Sequence, residues 1–291
     1  RIVPLYWLLN LAAAAIYFAM PSSAPAAVAP TGRGLAVVML FGQAWPPFRH
    51  ILDFNYPSWS LSTELFFYAL FPFVILMLHR RSIRALLSVG GLLLAAYLIV
   101  IPLLWLRPVP TLYPANMLAF PPLQLLKFTV GVCLGLALRK GWRPTLQPGT
   151  ALALLIAAVA LIPALSTSWV RAAAFRASEI FPDMIVTVPV VLLIIAAAAA
   201  DLREQRGVGS ARSLVRLGDW SFAMYLVHAP LLIALNAVRI SQGWLQPPGL
   251  GWLTVYLIVV ITVAGALHHW FELPLERLLR GRRRLPSITN D

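Results

Sequence analysis

Acidic residues and cysteine are scarce in this chain of 291 residues, which contains 10 aspartates and glutamates and a single cysteine, Cys133. One cysteine excludes a disulfide framework and a clustered thiolate metal site. Charged residues make up only 11% of the chain, whereas soluble domains average about 25%. The sequence also lacks a Walker loop, a dinucleotide-binding glycine fingerprint and a Gly-x-Ser-x-Gly elbow, which argues against an ATP-driven pump.

Apolar residues are abundant: they form 60% of the chain, and the mean hydropathy is +0.81. Stretches long enough to cross a bilayer recur along the whole length, with no soluble block between them. We therefore predict an all-α, polytopic transmembrane helix bundle, with residues 1–291 forming a single membrane domain. The eight predicted spans are Ile2–Met20, Trp59–Leu78, Leu86–Leu106, Leu123–Leu138, Leu146–Leu165, Met184–Ala200, Val215–Leu235 and Trp252–Phe271.

The net charge of +13 would suggest a nucleic-acid partner in a soluble protein, but here the arginines lie in short loops between spans. If Arg1 is cytoplasmic, the inner loops hold 16 lysines and arginines and the outer loops hold 6. This bias predicts a multi-pass protein of the inner (plasma) membrane, with both ends of the chain cytoplasmic and no nucleic-acid partner. The apolar segment Leu35–Trp45 is too short to span and is predicted to be interfacial or re-entrant.

Glu64 lies about a turn and a half inside the second predicted span, on the same helix face as Ser60 and Tyr68. One interpretation is structural: Ser58 or Ser60 caps the helix, and Glu64 favours its positive end. The other is a carboxylate at the outer mouth of the bundle that accepts a proton or orients a hydroxyl.

His228 lies near the middle of the seventh predicted span, where an ionisable side chain is a functional candidate. Ser221, Tyr225 and His228 follow one another at i, i+4 and i+7, which places three proton-capable groups on one helix face. The alternative is an ordinary core histidine between two helices.

Three further features have mainly structural interpretations. Gly131 and Gly135 are four residues apart, a spacing that favours close helix packing in membranes. Lys127 is predicted to extend its ammonium to the outer membrane surface. The adjacent His268 and His269 face different directions on a helix, so no metal site is expected there.

Four separated segments together resemble the membrane acyltransferase 3 family. Each segment alone is a weak match, but the order and spacing of the four agree with the family over essentially the whole chain. One position departs from the family, because Phe222 stands where the family usually has tyrosine. The four segments are the segment that starts at Arg1, the WSLSTE sequence of Trp59–Glu64, the segment Leu217–Pro230 that contains His228, and the closing Glu272–Pro274.

The resemblance implies an integral membrane enzyme of ten helices. It moves an acyl group, usually acetyl, from cytoplasmic acyl-CoA to a hydroxyl of a cell-surface glycan or glycolipid. The family's first two helices carry its essential histidine and a glycine-rich element. These are not in the sequence, so we expect an N-terminally truncated domain that is inactive on its own.

We assign candidate roles from position along the spans, with acyl-CoA as donor substrate, membrane lipid and a glycan or glycolipid acceptor as partners, and no metal. A transporter or flippase for a lipid-linked sugar is the alternative function, and a non-catalytic scaffold is the third. The catalytic candidates are Glu64, His228, Tyr225 and Ser221; the substrate-binding candidates are Trp59, Ser60 and Tyr68; the coenzyme A candidates are Arg1 and Glu272.

Overall fold

A computed structural model describes residues 2–19, 31–46, 54–106, 118–168, 177–204, 211–243 and 249–280. Within these ranges the regular structure is helical and no strand occurs, so the all-α prediction is confirmed. The α-helices are α1 (Ile2–Ala19), α2 (Gly32–Met39), α3 (Trp59–Leu78), α4 (Ile83–Leu106), α5 (Pro121–Arg139), α6 (Pro148–Ser168), α7 (Ala177–Asp201), α8 (Arg212–Ser241), α9 (Leu250–Leu267) and α10 (Leu273–Arg280).

Seven helical stretches in the described part of the chain are long and apolar enough to cross a membrane. They coincide with seven of the eight predicted spans. The remaining prediction, Leu146–Leu165, falls on α6, whose described apolar stretch Pro148–Pro163 is shorter than the others. A helical membrane bundle is therefore confirmed, while the count of eight spans stays a prediction.

Local signals explain where individual helices begin and end. Helix α3 begins and ends at the predicted residues. Helix α5 ends in a Schellman turn: Gly141 adopts a φ of 98°, and the amide of Trp142 donates to the Ala137 carbonyl at 2.9 Å. Glycine suits this position because a left-handed backbone brings a side chain into steric conflict.

The helices group into two compact units. The first unit comprises Arg1–Leu40, Leu52–Ser58 and Gly209–Asp291. Within it, α9 packs closely against α8: a Cβ added at Gly265 would lie 3.2 Å from the Trp220 ring. The indole nitrogen of Trp7 donates to the Met39 carbonyl at 3.1 Å, which attaches α2 to α1. Helix α2 has only eight residues, in agreement with the prediction that this segment is too short to span.

The second unit comprises Phe41–Ile51 and Trp59–Val208. Here α4 packs against α5 through a buried cluster that includes Leu86 and Cys133. Helix α3 also packs against α5, and the rings of Phe67 and Phe128 stack there with centroids 4.6 Å apart. These contacts fix the position of α3 against α5.

The predicted packing of Gly131 and Gly135 against a neighbouring helix is wrong. A Cβ added at either glycine would meet no heavy atom within 4 Å. Both glycines instead line a groove of about 440 Å³ between α5 and α7. Their four-residue spacing therefore leaves an open surface within the second unit.

The helix of the last predicted span contains one wider turn near its end. Residues His268–Glu272 form a turn of π-helix between α9 and α10. The helix then continues as Leu273–Arg280, so residues 250–280 form one continuous helix with a single wide turn. Such turns are rare and occur frequently at functional sites.

Candidate functional site

Glu64 forms a carboxylate–phenol pair on α3. The hydroxyl of Tyr68 donates to Oε1 of Glu64 across one helical turn. Glu64 is half-buried and Tyr68 is 55% exposed, so the pair lies at the edge of the second unit. Trp59 and Ser60, half-buried in the first turn of α3, precede the pair. A carboxylate in this arrangement can accept a proton or orient a hydroxyl.

Two buried hydroxyl groups anchor the beginning of α3 beside Glu64. The Ser62 hydroxyl donates to the Phe41 carbonyl, and the Thr63 hydroxyl donates to the Ala119 carbonyl at 3.0 Å. Both side chains are at most 3% exposed. Because each bond reaches a distant segment of the second unit, the orientation of this helix turn, and hence of Glu64, is fixed by tertiary contacts.

His228, Tyr225 and Ser221 lie on one face of α8, which is helical from Arg212 to Ser241. His228 is half-buried, and its Nδ1 lies 2.6 Å from the carbonyl oxygen of Tyr225. A carbonyl only accepts, so Nδ1 carries the proton and, in the neutral ring, Nε2 has the lone pair. The hydroxyl of Tyr256 on α9 donates to the His228 carbonyl at 3.0 Å. His228 is thus held as a possible proton acceptor at Nε2.

The other two members of this face donate to backbone carbonyls. The Tyr225 hydroxyl donates to the Pro57 carbonyl at 2.7 Å, and the Ser221 hydroxyl donates to the Gly218 carbonyl at 2.7 Å. Ser221 is exposed and Tyr225 is 38% exposed. Tyr225 therefore holds the segment before α3 against α8, a positioning contact that the sequence did not suggest.

A buried polar cluster surrounds that contact in the first unit. Asn55 donates to the Leu226 carbonyl at 2.9 Å, and the Ser58 hydroxyl donates to the side-chain oxygen of Asn10 at 3.3 Å. Asn10, Asn55 and Ser58 are at most 1% exposed. Buried polar groups in a membrane helix bundle require partners, and this cluster supplies them for Nδ2 of Asn55, Oδ1 of Asn10 and Oγ of Ser58 by joining α1, α8 and the Asn55–Ser58 segment. Oδ1 of Asn55 has no hydrogen-bond partner among the described residues.

Lys127, Asp183 and Tyr97 form a second group of ionisable side chains, in the second unit. The Lys127 ammonium lies 3.0 Å from Oδ1 of Asp183 and 4.6 Å from the centroid of the Tyr97 ring. The Tyr97 hydroxyl donates to Oδ2 of Asp183 at 2.6 Å. Lys127 is therefore bound to a carboxylate from another helix, rather than serving only as a surface anchor.

The sequence contains a signal for this group. The predicted span begins at Met184 and therefore leaves out Asp183, which is one residue earlier. A lysine and an aspartate at the ends of two apolar spans are natural partners, since an unpaired charge there is costly.

Glu272 lies in the π-helical turn and is 1% exposed. Its Oε2 is 2.7 Å from Nδ1 of His268, one turn earlier. His269 is exposed, so the two adjacent histidines diverge as predicted. His268 is a partner for Glu272 that the sequence pattern alone did not indicate.

The candidate residues fall into separate parts of the structure. Within the described ranges, no group of three or more His, Cys, Asp or Glu side chains could hold a metal ion. Arg1 lies outside the described residues. The first unit contains Ser221, Tyr225, His228 and Glu272, and the second contains Trp59, Ser60, Glu64 and Tyr68.

Two comparisons with known proteins both identify an acyltransferase. Residues 1–269 match the acyltransferase 3 family, which is described as an acyltransferase domain. The chain is also similar to Acyltransferase MdmB of Streptomyces mycarofaciens, with 32% identity over 317 aligned residues. That alignment covers 100% of this chain and 76% of the relative. No solved structure shows a significant match.

Proposed function

The chain belongs to the acyltransferase 3 family and is a membrane acyltransferase, and from this premise we propose the donor, the acceptor and the residues that serve them. The donor is an acyl-CoA, foremost acetyl-CoA, and the acceptor is a hydroxyl of a cell-surface glycan or glycolipid. The enzyme lies in the plasma membrane, with both ends of this chain on the cytoplasmic side. The observation that carries the proposal is the family match over residues 1–269.

The reaction sets the requirements for the site. The acceptor hydroxyl gives up its proton, its oxygen bonds to the thioester carbonyl carbon, and the carbonyl oxygen becomes negatively charged. The tetrahedral intermediate then breaks its carbon–sulfur bond, and coenzyme A leaves as a thiol after taking a proton. Such a reaction needs a group that orients the acceptor, a proton acceptor and a stabiliser for the oxyanion.

We assign the acceptor side to the beginning of α3. The Glu64 carboxylate already accepts a hydrogen bond from Tyr68, and a carboxylate has room for a second donor such as a substrate hydroxyl. The anchored Ser62 and Thr63 support this position because they hold the helix turn that carries Glu64. Trp59 and Ser60 at the start of the same helix are proposed to contact the acceptor.

We assign His228 to proton transfer along the acyl path, since its Nδ1–H is occupied by a carbonyl and Nε2 can accept a proton. Ser221 and Tyr225 are proposed to line the same path. Arg1 is proposed to bind the phosphates of coenzyme A, because guanidinium groups bind phosphate through paired hydrogen bonds. Glu272 is proposed to contribute to the coenzyme A site.

The test is transfer of labelled acetyl from acetyl-CoA, measured on the chain extended by the family's first two helices, in lipid nanodiscs with glycan and glycolipid acceptors. We expect covalent label on the acceptor. Glu64→Gln and His228→Ala should each lower kcat/KM by about 100-fold, which is the lower range for loss of one acid–base group.

Matched controls use residues of the same type that lie outside the proposed site. Asp201→Asn and His269→Ala remove an exposed carboxylate and an exposed imidazole, and both should retain full activity. Wild-type rates in both Glu64→Gln and His228→Ala would refute the residue assignments. An acceptor that crosses the membrane without gaining label would instead support the transporter alternative, and absence of coenzyme A binding would support a scaffold.

A further inference from the structure

We propose that the groove between α5 and α7 binds a single-chain amphiphile with a neutral, hydroxylated head group. The alkyl chain lies along Gly131 and Gly135, and the head group lies against Lys127 and Asp183. The groove and its lining residues carry the proposal of a binding site. Its further role, to hold a glycolipid acceptor by its chain, rests on the proposed function.

The shape of the groove favours one narrow, elongated ligand. It follows α5 from Lys127 to Leu138, a length of about 16 Å at ~1.5 Å per residue. Its volume of about 440 Å³ is spread along that length between the two helices. A groove of this shape accommodates an extended alkyl chain that lies parallel to α5 and α7.

The lining of the groove is polar at one end only. Lys127 is the first lining residue on α5 and Asp183 the first on α7, and the positions that follow are apolar or glycine, except for Thr187. The Thr187 hydroxyl donates to the carbonyl of Asp183 on its own helix at 2.6 Å. A ligand that matches this lining has an apolar body and one polar end.

The paired charges select the kind of head group. Lys127 and Asp183 neutralise each other at 3.0 Å, so an anionic head would meet the carboxylate and a cationic head would meet the ammonium. A lysine ammonium has three donors, and a carboxylate has about four acceptor positions. The bond between Lys127 and Asp183 and the bond from Tyr97 use only some of them, so donors and acceptors remain for a ligand. A sugar or polyol offers hydroxyl groups that donate and accept at once.

Selectivity must come from this polar end. Lipid tails are as apolar as the groove walls, so an alkyl chain gains little by moving from bilayer to groove. The apolar walls therefore set the shape of the ligand, while hydrogen bonds to the head group decide which amphiphile stays bound.

The experiment uses the full chain in phosphatidylcholine nanodiscs and a photoreactive dodecyl glucoside with a diazirine near the chain end. We expect covalent label on α5 and α7. Unlabelled dodecyl glucoside should compete about tenfold better than dodecylphosphocholine or dodecyl sulfate, since the latter two carry charged heads.

Gly135→Leu places a side chain in the groove at a position where the added Cβ would meet no atom within 4 Å, and it should reduce labelling about tenfold. Gly91→Leu is the matched control, because Gly91 is also exposed on a membrane helix of the same unit with open space around it. A double variant, Lys127→Met with Asp183→Asn, should keep labelling but lose the preference for the glucoside head. Protection of the buried Cys133 thiol shows that each variant is folded.

Equal labelling in Gly135→Leu and wild type would overturn the site. Equal competition by dodecylphosphocholine would show that the groove holds any membrane lipid and would overturn the head-group assignment. Labelling is measured without turnover, so expected labelling together with absent acyl transfer would refute the proposed function alone. Full acyl transfer to a glycolipid in a Gly135→Leu variant that no longer labels would separate this site from the acceptor.

Discussion

Breaking the ion pair between Lys127 and Asp183 should destabilise the second unit. The two charged atoms lie 3.0 Å apart, and the side chains are 27% and 28% exposed, so roughly three quarters of each is removed from solvent. Removing one partner of a fully buried pair costs about 3–5 kcal/mol, whereas an exposed pair contributes about 0.2–1 kcal/mol. For Asp183→Asn we therefore expect an intermediate loss of about 2–3 kcal/mol.

Cys133 provides the assay, since it is the chain's single cysteine and its side chain is fully buried. A thiol-reactive fluorescent maleimide reports unfolding as the thiol becomes accessible on heating. At about 2–4 °C per kcal/mol, Asp183→Asn should lower the midpoint by roughly 4–12 °C, and Lys127→Met by a similar amount. Asp201→Asn, at the exposed end of the same helix, should leave the midpoint unchanged.

The double variant tests whether the two residues act as a pair. Lys127→Met with Asp183→Asn removes both charges, so neither is left unpaired, and its loss should be smaller than the sum of the single losses by about 1–2 kcal/mol. Strictly additive losses would refute the reasoning, because they would show that each residue is stabilised by something other than its partner.

Two further variants test contacts in the first unit. Gly265→Val should cost about 1–3 kcal/mol by overpacking, because its Cβ would lie 3.2 Å from Trp220; the same change at Gly91, which has open space, should not lower the midpoint of thermal unfolding followed by the loss of helical circular dichroism. Tyr225→Phe removes the hydroxyl that donates to Pro57 and should cost about 1 kcal/mol in the same assay. An unchanged midpoint in Tyr225→Phe would show that this hydrogen bond does not hold the segment before α3.

The ends of a helix were predictable where proline or charged residues bound an apolar stretch. The span Trp59–Leu78 was predicted at the residues where α3 begins and ends, because Pro57 precedes it and His79 with two arginines follows it. The seventh predicted span ended at Leu235, but α8 continues to Ser241. Hydropathy detects the part of a helix that suits lipid, and a helix can extend past it into more polar sequence.

The site was less predictable because its contacts join residues far apart in the chain. The bonds Ser58–Asn10 and Asn55–Leu226 connect positions 48 and 171 residues apart, a relation that no local pattern expresses. Gly131 and Gly135 show a second limit of local patterns. Their spacing indicates a smooth helix surface, but the tertiary structure is needed to show that this surface lines a groove. The helix face of Ser221, Tyr225 and His228 was predictable, since it needs only helical periodicity.

The wide turn at His268–Glu272 lets this helix lose one residue there without rotating the segment that follows. A π-helical turn contains one residue more than an α-helical turn, and one residue corresponds to about 100° of rotation. Deleting a single codon there would let α9 and α10 merge into regular helix and would leave the face presented by Leu273–Arg280 nearly unchanged, because the shorter α-helical turn completes the same full rotation. A one-residue deletion elsewhere in α9 would instead rotate Leu273–Arg280 by about 100°.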